Sequence, residues 1–339
     1  MMKERLAWQN SGPPDVLRIW YVAPQRLCNF SCPYCVSTGE WAKDPRTDWR
    51  TEQDLQDYKY VVHWLGSRDF PIGLRLASLG EPLTSKPFLA QASWLCCQDN
   101  VRYVELVTNG SLLKNRLSLF SAEGRAKLSL WITYHPTEIG LERFVENVLS
   151  ARDEFGCFVV VNALLFPNSK RALNELSKTL SGYDVPLNVD LGYIADAELG
   201  TYTYSDAIVP ASREEEWKRV AAEFGCDEEM IAANIAGLDD SLGRLCGAGN
   251  GYIFIGIDGE VYPCSRYYDL KIGRLGNILD RTFVLPPARN SWNTCMSKCG
   301  CSNKEDFLNL QLVDQSRRRD VPSLGWLSRN LARPHQNPT

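Results

Sequence analysis

The chain has no apolar run near the roughly 18–20 residues needed to cross a bilayer, which excludes a membrane-spanning helix. Its first residues, MMKERLAWQNSGPP, lack the apolar centre of a secretory signal. An excess of basic residues is missing too: 37 Lys and Arg stand against 41 Asp and Glu, for a net charge of −4. That balance excludes the broad positive footprint of a nucleic-acid binder, and the run Arg317-Arg318-Arg319 reads as a solvated tail beside Asp320. There is no long internal repeat and no low-complexity tract. Histidine is scarce, at three residues. His63 adjoins Trp64 within a helical pattern, and His335 lies in a Pro-rich tail, which leaves His135 as the one candidate for chemistry. A cytoplasmic protein with neither membrane nor nucleic acid as partner is expected.

Cysteine, by contrast, is plentiful, with twelve residues. In a reducing compartment clustered thiols read as metal ligands rather than disulfides. The segment Cys28-Asn-Phe-Ser-Cys32-Pro-Tyr-Cys35 can wrap three irons of a cubane cluster and leave the fourth iron without a protein ligand. A structural metal site is closed by four protein ligands; a catalytic one keeps a position open. A zinc site closed by a fourth ligand is the rival reading. A second set, Cys246, Cys264, Cys295, Cys299 and Cys301, lies near the C-terminus, with a zinc ribbon as its rival. Cys96, Cys97, Cys157 and Cys226 sit beside apolar runs and read as small buried hydrophobes.

Between these sets, short β-rich runs alternate with helical patterns. Strands are expected at 17–22, 72–77, 102–107, 128–134, 158–164 and 187–191. Helices are expected at 51–66, 86–98, 112–123, 138–155 and 170–180, the first opened by a capping box of Thr51 and Asp54. Strict alternation implies a parallel sheet with right-handed crossovers. Six repeats suit an α/β fold of partial (β/α)6 TIM-like barrel type, whose chemistry sits at the C-terminal strand ends. The cysteine loop, Gly80-Glu81-Pro82 and Thr108-Asn109-Gly110 all fall on that edge. Residues 192–245 break the pattern, with an aromatic-polar stretch at 201–204 and helices expected at 212–224 and 227–236. A hairpin follows, with strands at 252–257 and 260–262 about an Asp258-Gly259 turn.

These residues resemble the radical SAM superfamily. The cysteine spacing with Tyr34 before the last thiol is similar to its signature. Gly80-Glu81-Pro82 resembles its Gly-Gly-Glu loop, with Leu79 in place of the first glycine, and Thr108-Asn109-Gly110 matches in register. The likeness spans about residues 15–195. It implies a [4Fe–4S] cluster on Cys28, Cys32 and Cys35 whose open iron chelates S-adenosylmethionine. Gly80, Glu81 and Pro82 would then face the methionine amine, Tyr34 the adenine, and Thr133 and Asn162 the ribose, with Thr108 and Asn109 in the same cofactor site. The second cysteine set resembles the shortened auxiliary-cluster extension called a twitch domain, with one further [4Fe–4S] cluster. The longer SPASM form needs more cysteines than these five. Cys246, Cys264 and Cys295 are the firmer ligands; Cys299 and Cys301 compete for the last place, or one replaces Cys295, and the spare thiol is structural or a hydrogen-atom donor.

The expected organisation is an N-terminal extension (1–16), a radical SAM core (17–195), a connector that also walls the substrate (196–245), a small iron–sulfur domain with the hairpin (246–315) and a tail (316–339). His135 and Tyr193, at strand ends, are the candidate catalytic side chains, with Asp190 comparable; a satisfied structural histidine is the competing reading of His135. The expected partners are a small-molecule substrate or short peptide and a flavodoxin- or ferredoxin-type electron donor. Enzymes with similar twitch regions oxidise aminocyclitols and sugars, and that reaction leads here. Epimerisation, maturation of a ribosomal peptide and a non-catalytic iron–sulfur carrier are the alternatives. The 27 residues before Cys28 are too few for a winged-helix leader-binding domain, which ranks the peptide reading second.

Overall fold

The computed structural model describes residues 16–35, 48–166, 169–183, 185–191, 193–196, 201–204, 215, 219, 222–224, 241–289, 291–297, 301, 306 and 309–311. Six parallel strands run in chain order: β1 (Leu17–Ala23), β2 (Ile72–Ser78), β3 (Val101–Thr108), β4 (Leu128–Tyr134), β5 (Phe158–Leu165) and β6 (Leu187–Leu191). The crossovers carry α1 (Glu52–Gly66), α2 (Lys86–Cys96), the short α3 (Leu113–Arg116) and α4 (Ala122–Ala126), α5 (Leu141–Asp153) and α6 (Lys170–Ser181). Thr51 caps α1 through a reciprocal capping box with Asp54. No helix among the described residues is long and apolar enough to cross a membrane.

Alternation along each strand sorts its side chains between two faces. Leu17, Ile19, Tyr21 and Ala23 of β1 join one buried cluster with Tyr58, Val61 and Leu65 of α1 and Phe88 of α2. The opposite face is far more polar. Arg18, Trp20, Arg75, Glu105, Ser129, Trp131, Thr133, Asn162 and Asn188 share it by register. Arg75 pairs with the fully buried Glu105 across β2 and β3, and its guanidinium lies 5.2 Å from the Trp131 ring centre. A helix-covered face needs apolar side chains alone; this second face has the make-up of a surface built to meet polar ligands.

The long helix expected at 112–123 is broken. α3 gives way to a 3-10 turn (Leu117–Leu119), Phe120 is extended and buried, and Ser121 caps α4 by accepting from the Gly124 amide at 3.0 Å. A serine that bonds its neighbouring backbone competes with helix continuation. α5 starts later than expected because a turn occupies 135–139, where the amides of Glu138 and Ile139 both donate to the His135 carbonyl.

The C-terminal hairpin departs most from expectation. Short β9 (Leu245–Cys246) is followed by β10 (Tyr252–Ile255), β11 (Glu260–Tyr262), α7 (Ser265–Leu270), β12 (Gly276–Asn277) and β13 (Asn293–Thr294); β7 (Tyr193–Asp196) and β8 (Thr201–Tyr204) form a separate antiparallel pair, where the sequence offered only an aromatic-polar stretch. Instead of standing in a sheet of its own, β10 pairs in parallel with β1, Arg18 opposite Tyr252 through Tyr21 opposite Ile255. The result is one nine-stranded sheet, β12-β11-β10-β1-β2-β3-β4-β5-β6. Without β10 the first strand would present an unpaired edge, which folded sheets avoid. Gly259 turns the hairpin at φ 74°, and a side chain there would meet Leu279 and Asn277 at 2.8 and 2.9 Å. The helices expected at 212–224 and 227–236 lie largely outside the described residues, as do the tail and all but Val16 of the N-terminal extension.

Candidate functional site

Three loops meet at the C-terminal strand edge. The cysteine loop leaves β1, and its root is laid along the loop after β2: Gly80 N donates to Gln25 O and Glu81 N to Leu27 O, both at 2.9 Å. A β-carbon on residue 80 would fall 2.4 Å from the Arg26 and Leu27 carbonyl oxygens, so this approach requires glycine. The Glu81 carboxylate, buried below the loop, accepts from Thr108 Oγ1 (2.6 Å) and Leu83 N (3.1 Å) on one oxygen and from Asn109 N (2.7 Å) on the other. A carboxylate has about four acceptor sites, so one remains on Oε2. Burial raises the Glu81 pKa to about 7 against these three donors. Asn109 in turn donates to Asn29 Oδ1 at 3.0 Å and accepts from Ser111, while Asn29 donates to Ser111 Oγ at 2.9 Å.

Cys28, Cys32 and Cys35 are all part-exposed, and a turn brings the Cys35 amide to the Cys32 carbonyl at 3.1 Å. Burial, with Glu81 and Cys35 adding, pushes the Cys28 thiol up to about 11. Burial, with Glu138, Cys35 and Cys28 adding, pushes Cys32 up to about 12. Cys28 and Cys32, so raised, resist ionisation until a positive centre joins them, which is the chemistry of metal ligands. No three Cys, His, Asp or Glu side chains among the described residues converge on a single ion-sized point.

A further clasp joins this loop to the end of β4. Tyr34 Oη lies 3.2 Å from His135 Nδ1, their rings stack at 5.8 Å, and Phe166 flanks Tyr34 at 4.7 Å. Burial lowers the His135 pKa to about 4, against the pull of Glu138, and raises that of Tyr34 to about 12. Both are therefore neutral near pH 7, and the imidazole Nδ1 can accept a hydrogen bond from the phenol. Ser31 N donates to Glu138 Oε2 at 3.1 Å. Along the sheet, Thr133, Asn162 and Asn188 stand side by side in register, and Asn188 Nδ2 donates to Asn162 Oδ1 at 2.7 Å. Of Tyr193 the backbone alone is described, opposite Tyr204 in β7; Asp190 stands opposite Leu164.

Asn29, Ser111, Glu138 and Asn188 were not singled out from sequence. For Asn188 a signal was present, a polar residue between the apolar residues of a strand, at the same parity as Asp190. The other three are visible only once their loops meet.

Four members of the second cysteine set lie near the opposite end of β1. Cys246 ends β9, Cys264 precedes α7, Cys295 follows β13, and Cys301 is buried. Each is within electrostatic reach of others of the set: Cys246 of Cys295, Cys264 of Cys246 and Cys301, and Cys301 of Cys246 and Cys295. Burial drives Cys246 up to about 12 and pushes Cys264 and Cys301 well up. Cys246, Cys264, Cys295 and Cys301 are sulfur donors of the type that iron–sulfur clusters take. Cys299 lies outside the described residues. Asp306, fully buried beside them, accepts from Ser265 N, Ser265 Oγ and Tyr252 Oη, and burial lifts its pKa to about 6.

This group lies against the start of β1, where Arg18 N donates to Gly251 O at 3.0 Å and Arg18 Nη2 to Asn309 Oδ1 at 2.6 Å. The cysteine loop leaves the other end of the same strand. At about 3.3 Å per residue, the seven residues of β1 put on the order of 20 Å of strand between its two ends.

No family model matches the chain. It is 22% identical over 283 residues to the GTP 3′,8-cyclase of Aquifex aeolicus (strain VF5), covering 77% of this chain and 86% of that one. Among solved structures it is similar to histidine-tagged anSMEcpe with bound AdoMet, at a TM-score of 0.51 and 19% identity over 79% of this chain and 76% of that chain. Native anSMEcpe with bound AdoMet and the Kp18Cys peptide is similar at 0.50 and 19%, over 78% of each. At such identities the likeness establishes the fold: this chain shares the α/β architecture, with its mostly parallel central sheet, of proteins solved with AdoMet bound.

Proposed function

We propose that the chain is a radical SAM enzyme that dehydrogenates a small polar substrate, such as an aminocyclitol or sugar. One observation carries the reading: the three-thiol loop is laced to the Gly80-Glu81 and Thr108-Asn109 loops at the C-terminal edge of a parallel sheet. Cys28, Cys32 and Cys35 would hold a [4Fe–4S] cluster, with Gly80, the open acceptor site of Glu81, Tyr34, Thr133 and Asn162 facing bound S-adenosylmethionine. When bound and reduced by a flavodoxin- or ferredoxin-type donor, this pair supplies a 5′-deoxyadenosyl radical that takes a carbon-bound hydrogen. Cys246, Cys264, Cys295 and Cys301 would hold a second [4Fe–4S] centre. The polar inner face of the sheet, between the two groups, supports a polar substrate rather than a lipid.

Dehydrogenation is favoured because Cys246, Cys264, Cys295 and Cys301 would hold a centre able to accept an electron, whereas epimerisation would need a thiol aimed at the substrate. Peptide modification is the second reading, supported by the likeness to a structure solved with a peptide. The test is anaerobic reconstitution followed by incubation with S-adenosylmethionine, dithionite and candidate polyols or peptides. Formation of 5′-deoxyadenosine with substrate two hydrogens lighter is expected. Unchanged substrate mass with one deuterium gained from heavy water would make it an epimerase, and absence of S-adenosylmethionine cleavage would sink the radical reading.

A further inference from the structure

We propose that Arg18 makes the second thiol-bound centre an electron acceptor, by stabilising its reduced form; this rests on the reading of Cys246, Cys264, Cys295 and Cys301 as cluster ligands. Arg18 lies on the polar face of β1 and is 2% exposed, a buried cation between the interior of the sheet and the second thiol group. Two contacts fix its position, and a third anchors its partner Asn309. The main-chain amide donates to Gly251 O at 3.0 Å, Nη2 donates to Asn309 Oδ1 at 2.6 Å, and the Asn309 carbonyl accepts from Gly247 N, next to Cys246, at 2.8 Å. Asn309 is itself fully buried and donates to the Asp306 carbonyl at 3.2 Å. Through Asn309 the guanidinium is one hydrogen-bonded residue away from Gly247, the chain neighbour of Cys246.

A cluster on four thiolates is anionic and gains one more negative charge on reduction. A fixed cation in a low-dielectric setting favours the reduced state more than the oxidised one and raises the reduction potential. The opposing charge here is Asp306, whose carboxylate is turned to three donors, Ser265 N, Ser265 Oγ and Tyr252 Oη. The step served is one-electron oxidation of a substrate radical. The C–H hydrogen leaves in 5′-deoxyadenosine, the radical passes one electron to the oxidised second centre, its hydroxyl proton goes to water, and a carbonyl forms.

The test is an anaerobic redox titration of the reconstituted full chain, followed by electron paramagnetic resonance. Arg18→Met should shift the midpoint potential of the second centre downward and leave that of the first unmoved; Arg18→Lys, which keeps the charge, should restore most of the shift. Asn309→Asp, nearly isosteric with the native side chain, sets an anion on the guanidinium and should shift the potential the same way. An unmoved potential in Arg18→Met and Asn309→Asp, or an equal drop in Arg18→Lys, overturns the role of Arg18 while leaving the second centre intact. A wild-type protein with about four rather than about eight iron atoms removes the centre itself, and this proposal with it.

Discussion

Cys28, Cys32 and Cys35 sit on one short loop and remain part-exposed, whereas Cys246, Cys264, Cys295 and Cys301 arrive from separate segments, with Cys246 and Cys301 buried. The first arrangement is part-exposed throughout; the second mixes two buried thiols with two part-exposed ones. The first loop also borrows its shape from its neighbours, through Gly80, Glu81 and Asn109. The second group is held by the hairpin and by residues near 306–309. On the proposed reading, that difference in burial would separate the group that binds a reactant from the group that exchanges electrons.

Thiol removal should break this comparison most sharply. Cys28→Ala should abolish S-adenosylmethionine cleavage and about half the bound iron, while Cys264→Ala should lose a similar amount of iron yet keep substrate-independent cleavage. Iron analysis and 5′-deoxyadenosine assays check both. Equal loss of cleavage in the two variants would end the distinction.

Gly80→Ala comes next, because its β-carbon would collide with two main-chain carbonyls. Destabilisation near the upper end of roughly 1–3 kcal/mol is expected, with loss of the first centre alone, read by thermal melts and iron content.

The third prediction uses pH. The folded His135 pKa lies at about 4, below the ordinary 6.5. The unfolded chain therefore binds the proton first as pH falls, and stability present above pH 6.5 is lost on the way down to about 4, by about 3 kcal/mol. In the metal-free protein His135→Gln should lack that share of acid sensitivity, as urea midpoints at pH 7 and pH 4.5 would register. The smallest effect belongs to Thr51→Ala, which removes the α1 cap at a cost of about 1 kcal/mol; a melt should fall slightly while both centres load normally.

Much of this was readable from local pattern. The strands at 128–134 and 187–191 and the Thr51–Asp54 box follow from alternation and capping, which are properties of neighbouring residues. The three-thiol loop is likewise contiguous. What escaped was non-local. Nothing in Tyr252–Ile255 announces a parallel partner in β1, since strand pairing across such a separation is set by which edge lies open. The Glu81 carboxylate reads as a ligand-facing group, yet two of its acceptor sites are taken by Thr108 and Asn109, brought close only by the fold, and a third by nearby Leu83. Ser121 could be read either as a residue within the helix expected at 112–123 or as the start of a new one, and the burial of Phe120 decides for the latter.

The join between Arg18 and Asn309 spans 291 positions of sequence. Contacts of such separation raise contact order and slow folding. On the ribosome, β1 through β6 can assemble while β10 is still unmade, so the first strand must wait for residues 252–255 before its flank is sealed. Metal loading would inherit that order: the thiols of residues 28–35 are made first, and those at 246–301 only after β6.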